Sequence, residues 1–88
     1  MIFTVLWVFG AEQSLAAQWL LANDRQEITA AAYRIDQALR IDPATKGESR
    51  EAGRRILFEY SLAVVYRVQP DDRIVHVLEA WRYHKRGR

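Results

Sequence analysis

The sequence predicts a small α+β domain, β-α-α-β-β-β, in which two helices pack on one face of a four-stranded antiparallel sheet. Three observations lead to this fold. The chain has 88 residues and is half apolar, which suits one domain with one core. An apolar run at its start is followed by helical periodicity up to about residue 41. Three short strand-like segments, separated by turns, then fill the second half.

The first half of the chain predicts one strand and two helices. Residues 2–8 are mostly apolar and indicate a buried strand that Gly10 ends. Residues 11–22 are rich in Ala and Leu and predict the first helix. Asp24, with Glu27 three residues later, has the spacing of a capping box. The second helix should end near residue 41, because Pro43 disfavours helical backbone at the residue before it. The apolar positions of this helix that share one face are Ile28, Ala31, Ala32, Ile35 and Leu39.

The second half predicts a loop over 42–53 and three strands. The loop contains two Gly, one Pro and five charged residues. The strands are expected over 54–59, 62–69 and 73–81, joined by turns at 60–61 and 70–72. Tight turns place Glu59 opposite Leu62 and Pro70 opposite Arg73. If the chain reverses direction at each successive element, the first strand runs antiparallel to the last. The first strand could then pair with the last, which gives the strand order 1-4-3-2.

Alternation along the strands separates two faces of the predicted sheet. The apolar face, expected to lie under the helices, collects Ile56, Phe58, Ala63, Val65, Leu78 and Ala80. His76 falls on this side and is interpreted as structural. The opposite face collects Arg55, Leu57, Glu59, Val64, Tyr66, Val77, Glu79, Trp81 and Tyr83. Its charges and aromatic rings make it a candidate working surface, with a minor second core as the alternative.

Charge and composition limit the possible partners and location of the protein. Residues 1–45 carry three Arg against five acids, whereas residues 46–88 carry ten basic residues against six acids. The sequence therefore divides into a domain at 1–81 and a basic tail at 82–88, which either binds an anionic partner or is simply solvated. The absence of cysteine fits a reducing compartment, so a cytoplasmic location is expected. The first apolar run is too short to span a bilayer, and no membrane association is expected.

The chemistry-bearing residues are basic and aromatic. The sequence has no glycine-rich phosphate loop, no His pair at metal-binding spacing and no recognisable hydrolase triad, so no metal or cofactor is expected. Arg and Lys neutralise phosphates, aromatic rings stack on bases, and His exchanges protons near neutral pH. The candidate nucleic-acid-binding residues are Arg54, Trp81, Tyr83, Lys85, Arg86 and Arg88. The basic and aromatic residues together suit a metal-independent ribonuclease, with His84 as candidate proton donor and Arg55 and Arg82 as candidate cationic stabilisers. The alternatives are a packing role for Trp81, a surface pair for Arg54 and Arg55, and a solvated side chain for His84.

Three short motifs resemble those of one family. The sequence Gly53-Arg54-Arg55-Ile56 opens the second strand, residues 64–68 read Val-Val-Tyr-Arg-Val, and residues 80–84 read Ala-Trp-Arg-Tyr-His. Together with the order of elements, they resemble the RelE/ParE superfamily of bacterial type II toxin–antitoxin systems. The final motif is similar to the ending of the YoeB branch. The resemblance spans nearly the whole chain and implies a RelE-like fold.

The resemblance implies a toxin with a cognate antitoxin partner. The RelE and YoeB branches cleave mRNA on the ribosome, whereas the ParE branch inhibits DNA gyrase without chemistry of its own. A degenerate member that only binds its antitoxin is the third alternative. His84 matches the general acid of the YoeB branch, and Arg55 matches a cationic residue on strand two.

The sequence departs from the nuclease pattern at two positions. Ala63 stands where the nuclease branches have a strand-three arginine, and Lys85 stands where they have a terminal tyrosine. Arg54, Arg67 or Arg82 are the candidates to replace the missing arginine. No motif locates the general base, and Glu48, Glu51 and Glu59 remain alternatives.

Overall fold

The fold was analysed in a computed structural model that describes residues 2–83. Two helices pack against one face of a five-stranded sheet with the strand order β1-β5-β4-β3-β2. This confirms the expected α+β class and places both helices on one side of the sheet. The elements are β1 (Thr4–Trp7), α1 (Phe9–Leu21), α2 (Arg25–Ile41), β2 (Glu48–Ser49), β3 (Arg54–Glu59), β4 (Ser61–Gln69) and β5 (Ile74–Tyr83), with a 3-10 turn at Glu51–Gly53 before β3.

The sheet has five strands and is mixed, whereas the sequence predicted four antiparallel strands. The order of the four expected strands is as predicted, but β1 pairs with β5 in parallel. The loop after α2 contains an additional short strand, β2, which pairs antiparallel with β3. This pair adds one chain reversal that the sequence count omitted, and the extra reversal turns β5 parallel to β1.

The hairpin registers agree with the predicted turns up to a β-bulge in β5. Glu59 lies opposite Leu62, and Gln69 lies opposite Ile74. The register then shifts, because Tyr66 pairs with Val77 whereas Val65 pairs with Glu79. Leu78 is thus the extra residue of a bulge. Without this bulge, each side chain after Leu78 would point to the other face of the sheet. The strand continues to Tyr83, two residues beyond its expected end.

The helices cover the face of the sheet opposite to the one that the sequence predicted. The core contains the predicted positions of α2, and burying an Ile or Leu side chain contributes about 1.5–3 kcal/mol. The strand residues in this core are Leu62, Val64, Tyr66, Val75, Val77 and Ala80. Ile56, Phe58, Ala63 and Val65, which we expected under the helices, lie on the opposite face. Both faces of these strands carry apolar residues, so alternation alone does not identify the covered one.

Helix α1 lies along the edge of β5 beyond the end of β1. The Ser14 hydroxyl and the Gln18 side-chain amide donate hydrogen bonds to the carbonyl oxygen of Ala80, at 2.9 and 3.1 Å. The helix begins at Phe9, so Gly10 lies in its first turn and does not precede it. Ala11 is the one buried residue of α1. No helix within residues 2–83 is long and apolar enough to cross a membrane.

The loop between α2 and β3 is fastened to the core by Tyr66. Its hydroxyl lies 2.8 Å from the carbonyl oxygen of Pro43 and 2.7 Å from that of Lys46, and it donates its single proton to one at a time. Arg55 Nε donates to the same Lys46 oxygen at 2.9 Å. Gly47 has a φ of +63°, and a Cβ there would lie 2.2 Å from the Ile56 carbonyl oxygen. The loop is therefore an ordered part of the domain.

Replacing Tyr66 with Phe tests this anchor. The substitution leaves the loop carbonyl oxygens without their donor, so we expect the free energy of unfolding to fall by about 1–2 kcal/mol. Tyr33→Phe is the matched control, because Tyr33 is 64 % exposed, and it should leave stability unchanged. Urea titration followed by tryptophan fluorescence measures both. Equal midpoints for the two variants would contradict the anchor.

The Tyr66 phenol also predicts a pH dependence of stability. Burial raises the pKa of Tyr66 above its ordinary value of 10.0, and the nearby Arg55 guanidinium partly opposes this. The pKa of Tyr66 is higher in the folded state than in the unfolded state. The stability that the neutral phenol contributes is therefore fully present below the ordinary pKa and is lost as the pH rises through the folded-state pKa. Wild type should therefore lose more stability than Tyr66→Phe in urea titrations above about pH 10. An identical loss in both proteins would contradict this assignment.

Candidate functional site

The sheet face turned away from the helices, here called the open face, carries a row of three basic side chains. Arg54 of β3 lies directly opposite Arg67 of β4, and Arg67 lies directly opposite His76 of β5. Directly opposed side chains on neighbouring strands have Cβ atoms about 4.5–5.5 Å apart. Arg67 donates one hydrogen bond to the carbonyl oxygen of Ala52, at 3.0 Å. This set of Arg54, Arg67 and His76 is called the cationic row.

A second row on the open face is aromatic. Phe58 lies opposite Ala63, and Ala63 lies opposite Trp81. The Phe58 ring also contacts the Tyr83 ring, with centroids 4.8 Å apart. Phe58 is 39 % exposed although it is large and apolar. Phe58, Trp81 and Tyr83, called the aromatic row, thus offer ring surface at the same side of the sheet as the cationic row.

A shallow depression lies between the two rows. It has a volume of about 410 Å³, and its lining includes the aliphatic side chains Ile56 and Val65. Arg54 of the cationic row, Arg50 and the acidic residues Glu51 and Glu79 complete the lining. The depression therefore has an apolar floor and a rim that carries both signs of charge.

The bulge at Leu78 brings three predicted residues to the open face. Glu79 pairs with Val65, Trp81 with Ala63 and Tyr83 with Ser61, all of which are open-face positions of β4. Trp81 and Tyr83 were expected on the working surface and lie there together with Arg54. Of the remaining members of the expected surface, Val64, Tyr66 and Val77 are part of the helix-side core, and Leu57 packs against it. Arg55 and Glu59 lie on the same side with polar partners.

Arg55 and Arg82 lie on the helix side and have protein partners. Arg55 binds the loop carbonyl oxygens of Lys46 at 2.9 Å and Gly47 at 3.3 Å. The Arg82 guanidinium makes a two-pronged ion pair with Asp24, at 2.8 and 3.2 Å. Asp24 occupies the N-cap position of α2 as expected, but its carboxylate makes no capping hydrogen bond there. The structure therefore does not bring these two cationic side chains to the open face.

The other candidate residues are divided between the two faces or lie outside the described residues. Glu59 is on the helix side and pairs with Arg34 at 3.0 Å, whereas Glu51 borders the depression. Glu48 pairs with Arg50 at 3.1 Å at the edge of the sheet. The remaining candidates, His84, Lys85, Arg86 and Arg88, lie outside the described residues.

Sequence reasoning missed Arg67 and His76 as members of the same surface as Arg54. The signal was present, because the predicted hairpin registers already place Arg54, Arg67 and His76 opposite one another. His76 was assigned to the core side and interpreted as structural, and that assignment was wrong because the helices cover the other face. Glu79 was expected on the working surface, but its place beside the depression depends on the bulge.

The open face can bind a polyanion that carries planar rings. Guanidinium and imidazole groups donate hydrogen bonds to phosphate oxygens, and exposed aromatic rings stack on bases. No group of metal-ligating side chains occurs among residues 2–83. The class of protein that the fold and this face define is thus a small α+β domain with one helical side and one open, partly cationic sheet face.

Comparison with solved structures finds the same fold in chains of toxin–antitoxin complexes. A chain of the toxin–antitoxin complex RelBE2 from Mycobacterium tuberculosis matches with a TM-score of 0.76 and 18 % identity, over 97 % of this chain and 95 % of that chain. A chain of the chromosomal ParDE system from P. aeruginosa matches with a TM-score of 0.66 and 16 % identity, over 94 % and 98 %.

The intact RelBE toxin–antitoxin complex from E. coli gives a TM-score of 0.55 at 15 % identity, over 96 % of this chain and 99 % of that chain. No family model and no curated protein matches the sequence. The chain therefore shares its fold with chains of RelBE and ParDE complexes over nearly its whole length.

The ion pair of Arg82 predicts a structural effect for its removal. Arg82→Ala should lower the free energy of unfolding by about 1 kcal/mol, because it breaks a bidentate contact between β5 and the start of α2. Arg40→Ala removes an exposed pair with Asp36 on a single helix and should cost less than about 0.5 kcal/mol. Thermal unfolding of both variants measures the difference. Wild-type stability of Arg82→Ala would show that Arg82 does not fasten the helix to the strand.

Proposed function

We propose that this protein is the toxin of a type II toxin–antitoxin system and that it cleaves mRNA on ribosomes in the cytoplasm. The observation that carries the proposal is the open face, where a cationic row and an aromatic row flank a depression. The fold shared with chains of RelBE and ParDE complexes supports the toxin class. Cations for phosphates together with rings for bases favour single-stranded RNA as the ligand.

The proposed reaction is cleavage by the RNA's own 2′-hydroxyl. Its oxygen forms a bond to the adjacent phosphorus, the bond from phosphorus to the 5′-oxygen breaks, and that oxygen takes up a proton. His84 is the proposed donor of this proton, because an imidazolium near neutral pH suits a general acid and the ending Arg82-Tyr83-His84 resembles that of the YoeB branch. Glu51 and Glu79, which border the depression, are the proposed acceptors of the 2′-hydroxyl proton.

The proposed partner is a cognate antitoxin. Exposed apolar side chains on α1 are the surface that such a partner would cover, because large exposed apolar patches mark interaction sites. They are Phe9 (75 % exposed), Trp19 (38 %), Leu20 (63 %) and Leu21 (87 %). The basic tail, including Lys85, Arg86 and Arg88, is proposed to strengthen binding to an acidic antitoxin segment or to ribosomal RNA.

Inhibition of DNA gyrase is the second candidate function, and one observation favours it. Ala63 lies at the centre of the open face, between Phe58 and Trp81, where the nuclease branches carry an arginine. Arg55 and Arg82 are held on the helix side by their own partners and do not fill this position. A toxin without chemistry of its own needs neither the arginine nor a proton donor.

Replacing His84 with Gln separates the two functions. General acid catalysis contributes about 10²–10⁴-fold, so His84→Gln should reduce mRNA cleavage on ribosomes by about that factor. Cleavage is measured by primer extension on mRNA from ribosomes incubated with the purified protein. Antitoxin affinity should stay at the wild-type value, because the apolar surface on α1 and the basic residues Lys85, Arg86 and Arg88 are unchanged in this variant.

Tyr33→Phe is the matched control, since Tyr33 lies on α2 and is exposed. It should cleave mRNA like wild type. Growth arrest by His84→Gln with intact mRNA and gyrase-dependent DNA breaks would contradict the nuclease proposal and support gyrase as the target. Expression of the wild-type protein alone without any growth defect would contradict the toxin class itself.

A further inference from the structure

We propose that Arg54, Arg67 and His76 form a phosphate subsite that holds one backbone phosphate of single-stranded RNA away from the aromatic row. This inference rests on the proposed function and assigns the cationic row to a particular part of the ligand. The three residues come from three adjacent strands and meet only because β3, β4 and β5 pair in this register.

The cationic row is unfavourable without an anion. Like charges placed directly opposite on neighbouring strands destabilise a sheet, and Arg54 opposes Arg67 directly. Within residues 2–83, the Arg54 guanidinium and the His76 ring have no ion pair that would offset this. Arg67 is held by the Ala52 carbonyl oxygen through one nitrogen, and its other N–H groups remain available. A phosphate between these groups would replace repulsion with several charge-assisted hydrogen bonds.

The distance between the rows suits a nucleotide chain. Arg54 and Phe58 are four residues apart on the same strand, and at about 3.3 Å per residue the rows are about 13 Å apart. That separation leaves room for a sugar and a base over the depression while a neighbouring base stacks on the aromatic row. The aliphatic floor of Ile56 and Val65 contacts the apolar part of such a ligand.

Glu79 favours RNA over an acidic peptide as the occupant. Its carboxylate borders the depression beside the cationic row and accepts hydrogen bonds but donates none. Sugar hydroxyls and the amino groups of bases are donors, so a nucleotide satisfies Glu79 while its phosphate satisfies the arginines. The carboxylates of an acidic peptide can also bind the arginines, but they donate no hydrogen bond to Glu79.

The test is the salt dependence of RNA binding. Fluorescence anisotropy with a labelled single-stranded RNA of about ten nucleotides gives the affinity of the full-length protein at several salt concentrations. Removing one neutralised phosphate should flatten the plot of log affinity against log salt by about 0.7 in the Arg54→Gln/Arg67→Gln double variant. At low salt its affinity should fall about tenfold. His76→Gln should weaken binding in the same direction by a smaller factor.

Arg40→Gln is the matched control, since Arg40 lies on α2 on the far side of the sheet, and it should keep the wild-type slope. Both arginines of the row are exposed, so the double variant is expected to fold, and its circular dichroism spectrum checks this. Wild-type binding with an unchanged slope in the double variant would overturn the subsite alone. Loss of antitoxin binding with RNA binding intact would assign the row to the antitoxin and overturn the proposal. A wild-type protein that binds no free RNA but still cleaves mRNA on ribosomes would overturn the subsite alone, whereas one that neither binds RNA nor cleaves mRNA would overturn the proposed function as well.

Discussion

Leu78 has no partner in β4, and this one extra residue determines which side chains of β5 reach each face of the sheet. Before the bulge, Val75 and Val77 enter the core beneath the helices, and His76 lies on the open face. After it, Ala80 and Arg82 turn to the helix side, whereas Glu79, Trp81 and Tyr83 turn to the open face. A regular strand would have given the reverse for these later residues. The depression and the aromatic row both depend on this shift in register.

The cationic side chains on the two faces of the sheet differ in whether they have partners within the protein. Cationic groups on the helix side have close partners: Arg82 binds Asp24, and Arg55 binds the carbonyl oxygens of the loop that Tyr66 anchors. These contacts fasten β5 to α2 and the loop to the sheet, so the arginines there contribute to stability. On the open face, Arg54 and His76 have no ion-pair partner within residues 2–83. The cationic groups that are available to bind an anion therefore lie on the open face, whereas the helix side forms the core of the domain.

Much of the fold could be predicted from the sequence because its local signals are strong. The periodicity of α2, the position of Asp24 before it and the two hairpin turns gave this helix and the antiparallel pairing of β3, β4 and β5 correctly. The covered face could not be predicted, since Ile56, Phe58 and Val65 form as apolar a set as the residues that the helices cover. The bulge at Leu78 and the two-residue strand β2 leave no composition signal, because both are set by the pairing between neighbouring strands and not by residue type. The site was predicted in part: Arg54, Trp81 and Tyr83 lie on the open face, whereas Arg55 and Arg82 do not.

The central claim is that the open face, and not the helical side, is the surface that meets RNA. Nuclear magnetic resonance titration of the labelled protein with single-stranded RNA tests it most directly. The Ala63 methyl group, buried between Phe58 and Trp81, and the Ala31 methyl group, buried beneath α2, report on the two sides of the same sheet. The account predicts that the Ala63 methyl and Trp81 indole signals shift on titration while those of Ala31 and Trp19 stay in place. Shifts confined to Ala31 and Trp19 would contradict it.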